Sequence, residues 1–321
     1  MERLFAYLQA DMDKVSALIE SSLQSDIALL ARCNRHLLEH QGKRLRPMLT
    51  LLAARLVGGT VDEDTIRFAA AAELVHNATL LHDDVADSSS SRRGVATVSS
   101  IIGPRPSVLL GDFWLVKGIA RILDADYNSA RVMSMFSKTL ADLAEGEMLQ
   151  LEMAGTGATT EKEYYTIIYD KTATLFECSA LAGAISAGAT PEQEAAVADY
   201  ARCIGIAFQI GDDILDYNGG EALGKPVGQD LKEKKITLPL LGAMKADAAS
   251  APKIREMVVN ISPENVGRIT RFVQENDGAG YARAAMNDYL CKAAEALKAF
   301  PDSVAKEHLT RMAAFIGGRD K

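Results

Sequence analysis

The chain has 321 residues, of which 48% are hydrophobic, 24% charged and 6% aromatic, with nine prolines. This composition suits an Ala/Leu-rich helical protein able to bury a sizeable core. The net charge of -8 provides no overall basic field for a nucleic acid, so any anionic ligand needs a local cluster of basic side chains.

Apolar residues recur at helical spacing from the start: Leu4, Leu8, Met12, Val15 and Ile19, then Ala69, Ala72, Leu74 and Val75, then Leu140, Leu143, Met148 and Leu151. Strand-type alternation is hard to find, and the pattern predicts an all-α chain of ten or more helices. Breaks fall at "HQGKRLRP" (40–47), "VGGTVDED" (57–64), "SSSSRRG" (88–94), "IGPRPS" (102–107), "AGTGATT" (154–160), "AGATPEQ" (187–193), "NGGEALGKPVG" (218–228) and "NDGAGY" (276–281). Most are short, as in a bundle of sequential, roughly antiparallel helices, and none reads as an interdomain linker. The expectation is one domain over 1–321. Cys33, Cys178, Cys203 and Cys291 form no CxxC pair and read as reduced, packed thiols. The opening "MERLFAYLQADMDKV" resembles neither a signal nor a transit peptide, and no apolar run approaches the roughly 20 residues of a membrane span, so a cytoplasmic protein without an integral membrane segment is expected.

Acids interrupt this apolar pattern twice. In "LLHDDVAD", Asp83 and Asp87 lie four apart, on one helical face, with Asp84 beside them; "QIGDDILD" repeats the arrangement with Asp212, Asp213 and Asp216. Two carboxylates about 4 Å apart repel by roughly 4 kcal/mol at an effective dielectric of about 20. Singly such a motif is often a solvated helix face, but two copies embedded in apolar sequence call for a cation. Oxygen-only ligands select a hard ion, Mg2+ or Mn2+ as a substitute, and Mg2+ usually bridges one or two carboxylates to phosphate oxygens. Basic islands agree with a phosphorylated substrate: Lys43, Arg44 and Arg46 in "GKRLRP", Arg92 and Arg93 after the first acids, Lys171 with Thr172 in "DKTATLF", and Lys225, Lys234 and Lys235 in "GKPVGQDLKEKKITLP". Together they suggest pockets for two diphosphates. The serines at 88–91 read most simply as a mobile loop.

With these motifs in order, together with "VLLGDFWL", "AEGEMLQL" and a closing "GRDK", the chain resembles the trans-type polyprenyl diphosphate synthases along nearly its whole length. The resemblance implies an isoprenoid-synthase-like helical bundle around a deep central cavity, working as a homodimer. It implies condensation of an allylic prenyl diphosphate with isopentenyl diphosphate and release of pyrophosphate. Asp83, Asp87 and Asp212 would hold three Mg2+ ions on the allylic diphosphate, supported by Asp84, Asp213 and Asp216. Arg92, Lys171 and Lys235, with Lys225, would contact that diphosphate. Lys43, Arg46, His76 and Arg93 would bind isopentenyl diphosphate, while Gln209 and Thr172 would line the gap between substrates. His82 has no such support and reads as structural. Lys234 stands where the family commonly has Gly, and Pro104 and Arg105 where an Asn is common.

Residues one turn below the first acids set product length in this family, and here they are Ala78 and Thr79. Small side chains imply an open tunnel and a long product, in the hexaprenyl to decaprenyl range, with Phe136, Met133 and Trp114 as candidates for its floor. Rival readings are a short-chain geranylgeranyl or farnesyl diphosphate synthase, a metal-dependent phosphohydrolase suggested by the His82–Asp83 pair, and a helical interaction protein.

Overall fold

The structure is a computed structural model that describes residues 2–92, 94–218 and 228–318. In chain order the helices are α1 (Glu2–Ser22), α2 (Ala28–Glu39), α3 (Leu45–Leu56), α4 (Glu63–Ala86), α5 (Val98–Ile102), α6 (Pro104–Leu123), α7 (Ser129–Thr156), α8 (Glu161–Ile168), α9 (Thr174–Ser186), α10 (Pro191–Asn218), α11 (Gln229–Lys232), α12 (Leu238–Ala246), α13 (Ala251–Val259), α14 (Pro263–Glu275), α15 (Gly278–Ala296) and α16 (Val304–Gly317). Among the described residues the only sheet is a hairpin of β1 (Ser91–Arg92) and β2 (Val95–Ala96), so the all-α expectation holds. The chain groups into two compact units: Met1–Ser137 with Cys178–Val197 and Asp302–His308, and Lys138–Glu177 with Ala198–Pro301 and Leu309–Lys321.

In the first unit α4 is the buried axis. Phe68 through Ala72, Leu74 and Val75 are wholly inaccessible, and the helix is apolar nearly all round, as a core helix must be. Its start is fixed by a capping box in which Asp62 accepts from the Thr65 N–H at 2.8 Å. Gly111 and Gly118 lie seven apart on one face of α6 and admit α4 closely. A Cβ on Gly118 would stand 3.0 Å from Val75 Cγ2, and one on Gly111 only 2.4 Å from His82 Nε2. Between these glycines on the same face comes Trp114, whose indole N–H donates to buried Asn34 at 2.8 Å; Asn34 in turn donates to the Leu23 carbonyl at 2.7 Å. The indole is thus anchored through α2 to the end of α1.

In the second unit the path from α8 to α9 passes through a π-turn, Tyr169–Ala173. Two glycines grip it. A Cβ at Gly146 on α7 would come 2.6 Å from Asp170 Cβ, and one at Gly205 on α10 would come 2.7 Å from Ala173 Cα. The helical hydrogen-bond ladder is widened there by one residue, a distortion found frequently at functional sites.

Candidate active site

The first acidic cluster occupies the C-terminal end of α4. Asp83 and Asp84 fall in its last turn and Asp87 is its C-cap. A helix C-terminus carries partial negative charge, so acids there are disfavoured unless a cation offsets them. The chain leaves the helix through Ser88, in the left-handed region at φ 51°, with the Ser88 N–H donating to Val85 O and the Ser89 N–H to Asp84 O. This paired closure is a Schellman motif. Thr97 then donates its hydroxyl to Ser89 O at 2.7 Å and its N–H to Ser90 O at 3.1 Å. The serine run, expected as a mobile loop, is therefore a hydrogen-bonded reversal that feeds β1.

That reversal brings Arg92 back onto the acids: its Nε–H donates to Asp84 Oδ1 at 2.7 Å, and Asp84 is buried. The contact uses one of the five guanidinium donors and leaves others for a phosphate. Arg44, in a left-handed N-cap conformation at φ 51°, donates from its guanidinium to Ser16 Oγ at 2.6 Å. His76 is half-buried and its carbonyl accepts from the Thr79 hydroxyl at 2.8 Å. His82 lies 3.2 Å from Asp112 Oδ1 and 3.3 Å from Val108 O, within the α4–α6 contact, which agrees with a structural part. Arg93 and Lys225 lie outside the described residues.

The second cluster closes α10. Asp213 is only 3% exposed and is held at both oxygens: the Tyr164 hydroxyl donates to Oδ2 at 2.6 Å and the Gln209 amide to Oδ1 at 2.9 Å. The Gln209 carbonyl oxygen in turn accepts from the Thr172 hydroxyl at 2.9 Å. Lys171, beside Thr172 on the π-turn, pairs with Glu147 of α7. Asp216 accepts at its two oxygens from the N–H groups of Gln229 (3.0 Å) and Asp230 (3.1 Å), capping the short helix α11. Beyond α11 the chain closes in a second Schellman motif: Lys234 N–H donates to Leu231 O and Lys235 N–H to Asp230 O, with Lys234 left-handed at φ 59°. The Lys235 ammonium pairs with Glu233.

Three acids here, Asp213, Asp216 and Asp230, are held above the ordinary carboxylate range. Burial pushes Asp213 well above the ordinary carboxylate range and nearby Asp230 pushes it further, against the hydrogen bonds from Tyr164 and Gln209. Burial likewise raises Asp216, opposed by the two backbone donors. Asp230 is pushed up to about 7 by burial and then by Asp216. Such crowding is what a site short of positive charge displays, and an oxygen-only donor set fits a hard divalent cation. Among the described residues no three His, Cys, Asp or Glu side chains are gathered closely enough to hold a metal alone. One or two carboxylates per ion suffice where diphosphate oxygens complete the shell.

Acid spacing marks the six aspartates, the basic islands mark Arg92, Lys171 and Thr172, and the family resemblance adds Gln209, while none of these signals marks Tyr164, Glu147 or Asp230. Tyr164 lies in "EYYTIIYD", where nothing marks one tyrosine from the next. Glu147 and Asp230 lie inside the quoted stretches "AEGEMLQL" and "GQDLKEKK", where their charge was the available signal.

Comparison with known proteins bears directly on this arrangement. Residues 27–275 match the family described as Polyprenyl synthetase. The chain belongs to that family. It is 38% identical to the octaprenyl diphosphate synthase of Escherichia coli over 327 aligned positions, covering 100% of this chain and 99% of the relative. A polyprenyl synthase of Caulobacter crescentus, solved with calcium and isoprenyl diphosphate, superposes with a TM-score of 0.92 at 36% identity, covering 100% of this chain and 98% of that one. A decaprenyl diphosphate synthase of Rhodobacter capsulatus gives the same score and identity, with coverages of 100% and 99%. The fold is accordingly the helical fold of the polyprenyl synthases. No helix among the described residues is long and apolar enough to cross a membrane.

Proposed function

We propose that this member of the polyprenyl synthetase family is a trans-prenyltransferase that condenses an allylic prenyl diphosphate with successive isopentenyl diphosphate units. It releases pyrophosphate at each step and makes a long-chain all-trans product in the hexaprenyl to decaprenyl range. The observation that carries this reading is full-length likeness to octaprenyl and decaprenyl diphosphate synthases together with both acidic motifs intact. The whole chain acts as one catalytic domain.

In this reading Asp83, Asp87 and Asp212 would hold Mg2+, about three ions per site, and the bound metal would supply positive charge to the leaving diphosphate. Asp84 orients Arg92 toward that diphosphate, and Lys171 and Lys235, held by Glu147 and Glu233, supply further positive charge. Lys225 joins them. Lys43, Arg46, His76 and Arg93 bind the isopentenyl diphosphate. Thr172 and Gln209 line the gap where the double bond of isopentenyl diphosphate attacks the allylic carbon. The proton then lost passes to the departing pyrophosphate. Apolar walls exclude water from the allylic cation.

The functional form is a homodimer in a cytoplasmic setting. Leu109, Val116 and Leu123 recur every seven residues on α6 and are 62%, 61% and 60% exposed in the single chain. A repeat of that period aligns them along one stripe of the helix, the kind of surface a second copy covers. Light scattering on the purified chain gives twice the monomer mass if so.

The deciding assay supplies radiolabelled isopentenyl diphosphate with geranyl, farnesyl or geranylgeranyl diphosphate, with and without Mg2+. Long, Mg2+-dependent elongation products are expected, with Mn2+ substituting. No elongated product at all sinks the reading, and products ending at farnesyl or geranylgeranyl diphosphate return it to a short-chain synthase.

A further inference from the structure

We propose that Tyr164 is a positioning residue for prenyl transfer: it fixes the Asp213 carboxylate and, through it, the Gln209 amide that meets Thr172. The proposal rests on the reading of α10 and the π-turn as part of the transfer site. A Phe would fill the same core position as well, so the hydroxyl is present for the bond it makes. A buried hydroxyl without a partner costs free energy, and this one has its partner at 2.6 Å. The Tyr164 hydroxyl and the Gln209 amide thus hold Asp213 from either side, at Oδ2 and at Oδ1. An ionised carboxylate only accepts, so Gln209 turns its NH2 to Asp213 and its carbonyl oxygen to Thr172, which makes the Thr172 hydroxyl a donor into the protein. The remaining lone pairs of Thr172 are then available on its other side. One buried phenol thus fixes in place the carboxylate that orients an amide and, three hydrogen bonds from the phenol, makes a hydroxyl a donor. No motif assigns Tyr164 this task.

The experiment measures the single-turnover rate of the first condensation, which separates chemistry from product release. Tyr164→Phe is expected to slow that step roughly ten-fold, the scale of one buried hydrogen bond to a charged group, with KM for both diphosphates within about two-fold and the unfolding midpoint lowered but the fold retained at the assay temperature. In a Gln209→Leu background, where the chain is already cut, Tyr164→Phe is expected to add no further loss. A parent-like rate for Tyr164→Phe, or an undiminished loss in the Gln209→Leu background, overturns the proposal. If Tyr164→Phe alone does not fold, the pair Tyr164→Phe with Asp213→Leu removes both partners while keeping shape. Its rate should equal that of Asp213→Leu, and a further drop overturns the proposal. An inactive parent chain would instead sink the prenyltransferase reading itself.

Discussion

Lys234 shows how a single residue's backbone can matter more than its charge. It is the left-handed C′ residue of a Schellman motif, a position that favours Gly because a Cβ there costs roughly 1–2 kcal/mol. Part of that gain is offset by the greater freedom of Gly in the unfolded chain. Lys234→Gly is therefore expected to stabilise the protein by about 1 kcal/mol, read from urea unfolding, and an unchanged or lower midpoint would contradict it. Asp230 makes the complementary electrostatic case. Its folded value of about 7 stands above the unfolded value of about 4, so in metal-free protein the folded state retains a proton that the unfolded chain releases. Its favourable contribution is complete below about pH 4 and is lost as pH rises through about 7. Thermal stability of metal-free protein should decline over that window, Asp230→Asn should flatten the decline, and Mg2+ with pyrophosphate should raise the midpoint more at pH 8 than at pH 6. Equal metal effects at both pH values would contradict this. The aspartates themselves were legible because a four-residue spacing states its geometry outright. That Asp216 caps α11 was not, since its backbone partners stand 13 and 14 residues further along the chain.

At the scale of elements, helices were legible wherever apolar periodicity ran long, as along α1, α4 and α7. The π-turn was not. One inserted residue leaves "DKTATLF" reading as ordinary helix, and only the close approach of Gly146 and Gly205 shows that the turn is gripped from two sides. Gly205 sits mid-helix, where Ala would ordinarily be favoured by about 1 kcal/mol. Here a Cβ would press within 2.7 Å of the Ala173 backbone, and backbone cannot step aside as a side-chain tip can. Gly205→Ala is thus expected to destabilise by about 1–3 kcal/mol despite the helix propensity it gains. Because the displaced segment carries Lys171 and Thr172, activity should fall at least ten-fold under conditions where the variant remains folded. Circular dichroism with the condensation assay checks both, and an active, stabilised variant would refute the packing argument. The short hairpin after α4 was also illegible: its strands are two residues each, too brief for any alternation to register.

For the whole molecule, the open question of chain length can be put to one position. Ala78 is 1% exposed and sits on α4 about 7.5 Å below Asp83, between Val75, which meets Gly118, and His82, which meets Gly111. It therefore occupies the face of α4 closest to α6, where Trp114 is anchored through Asn34. In the long-chain reading proposed above, a growing apolar chain that extends below the acids would pass this level, and a side chain no larger than methyl would let it. Ala78→Tyr introduces a ring there at a packing cost of about 1–3 kcal/mol, within the reserve of an ordinary domain. The first condensation takes place at the level of the acids and should persist, while products should shorten from the long-chain range toward farnesyl or geranylgeranyl length. Phe136, wholly buried on α7, is the deeper candidate, and Phe136→Ala should lengthen the product if it forms the floor. Chromatography of dephosphorylated products from the same primer compares the three proteins. An Ala78→Tyr variant that folds, elongates and still ends at the parent length would mean that the growing chain does not pass α4 at residue 78.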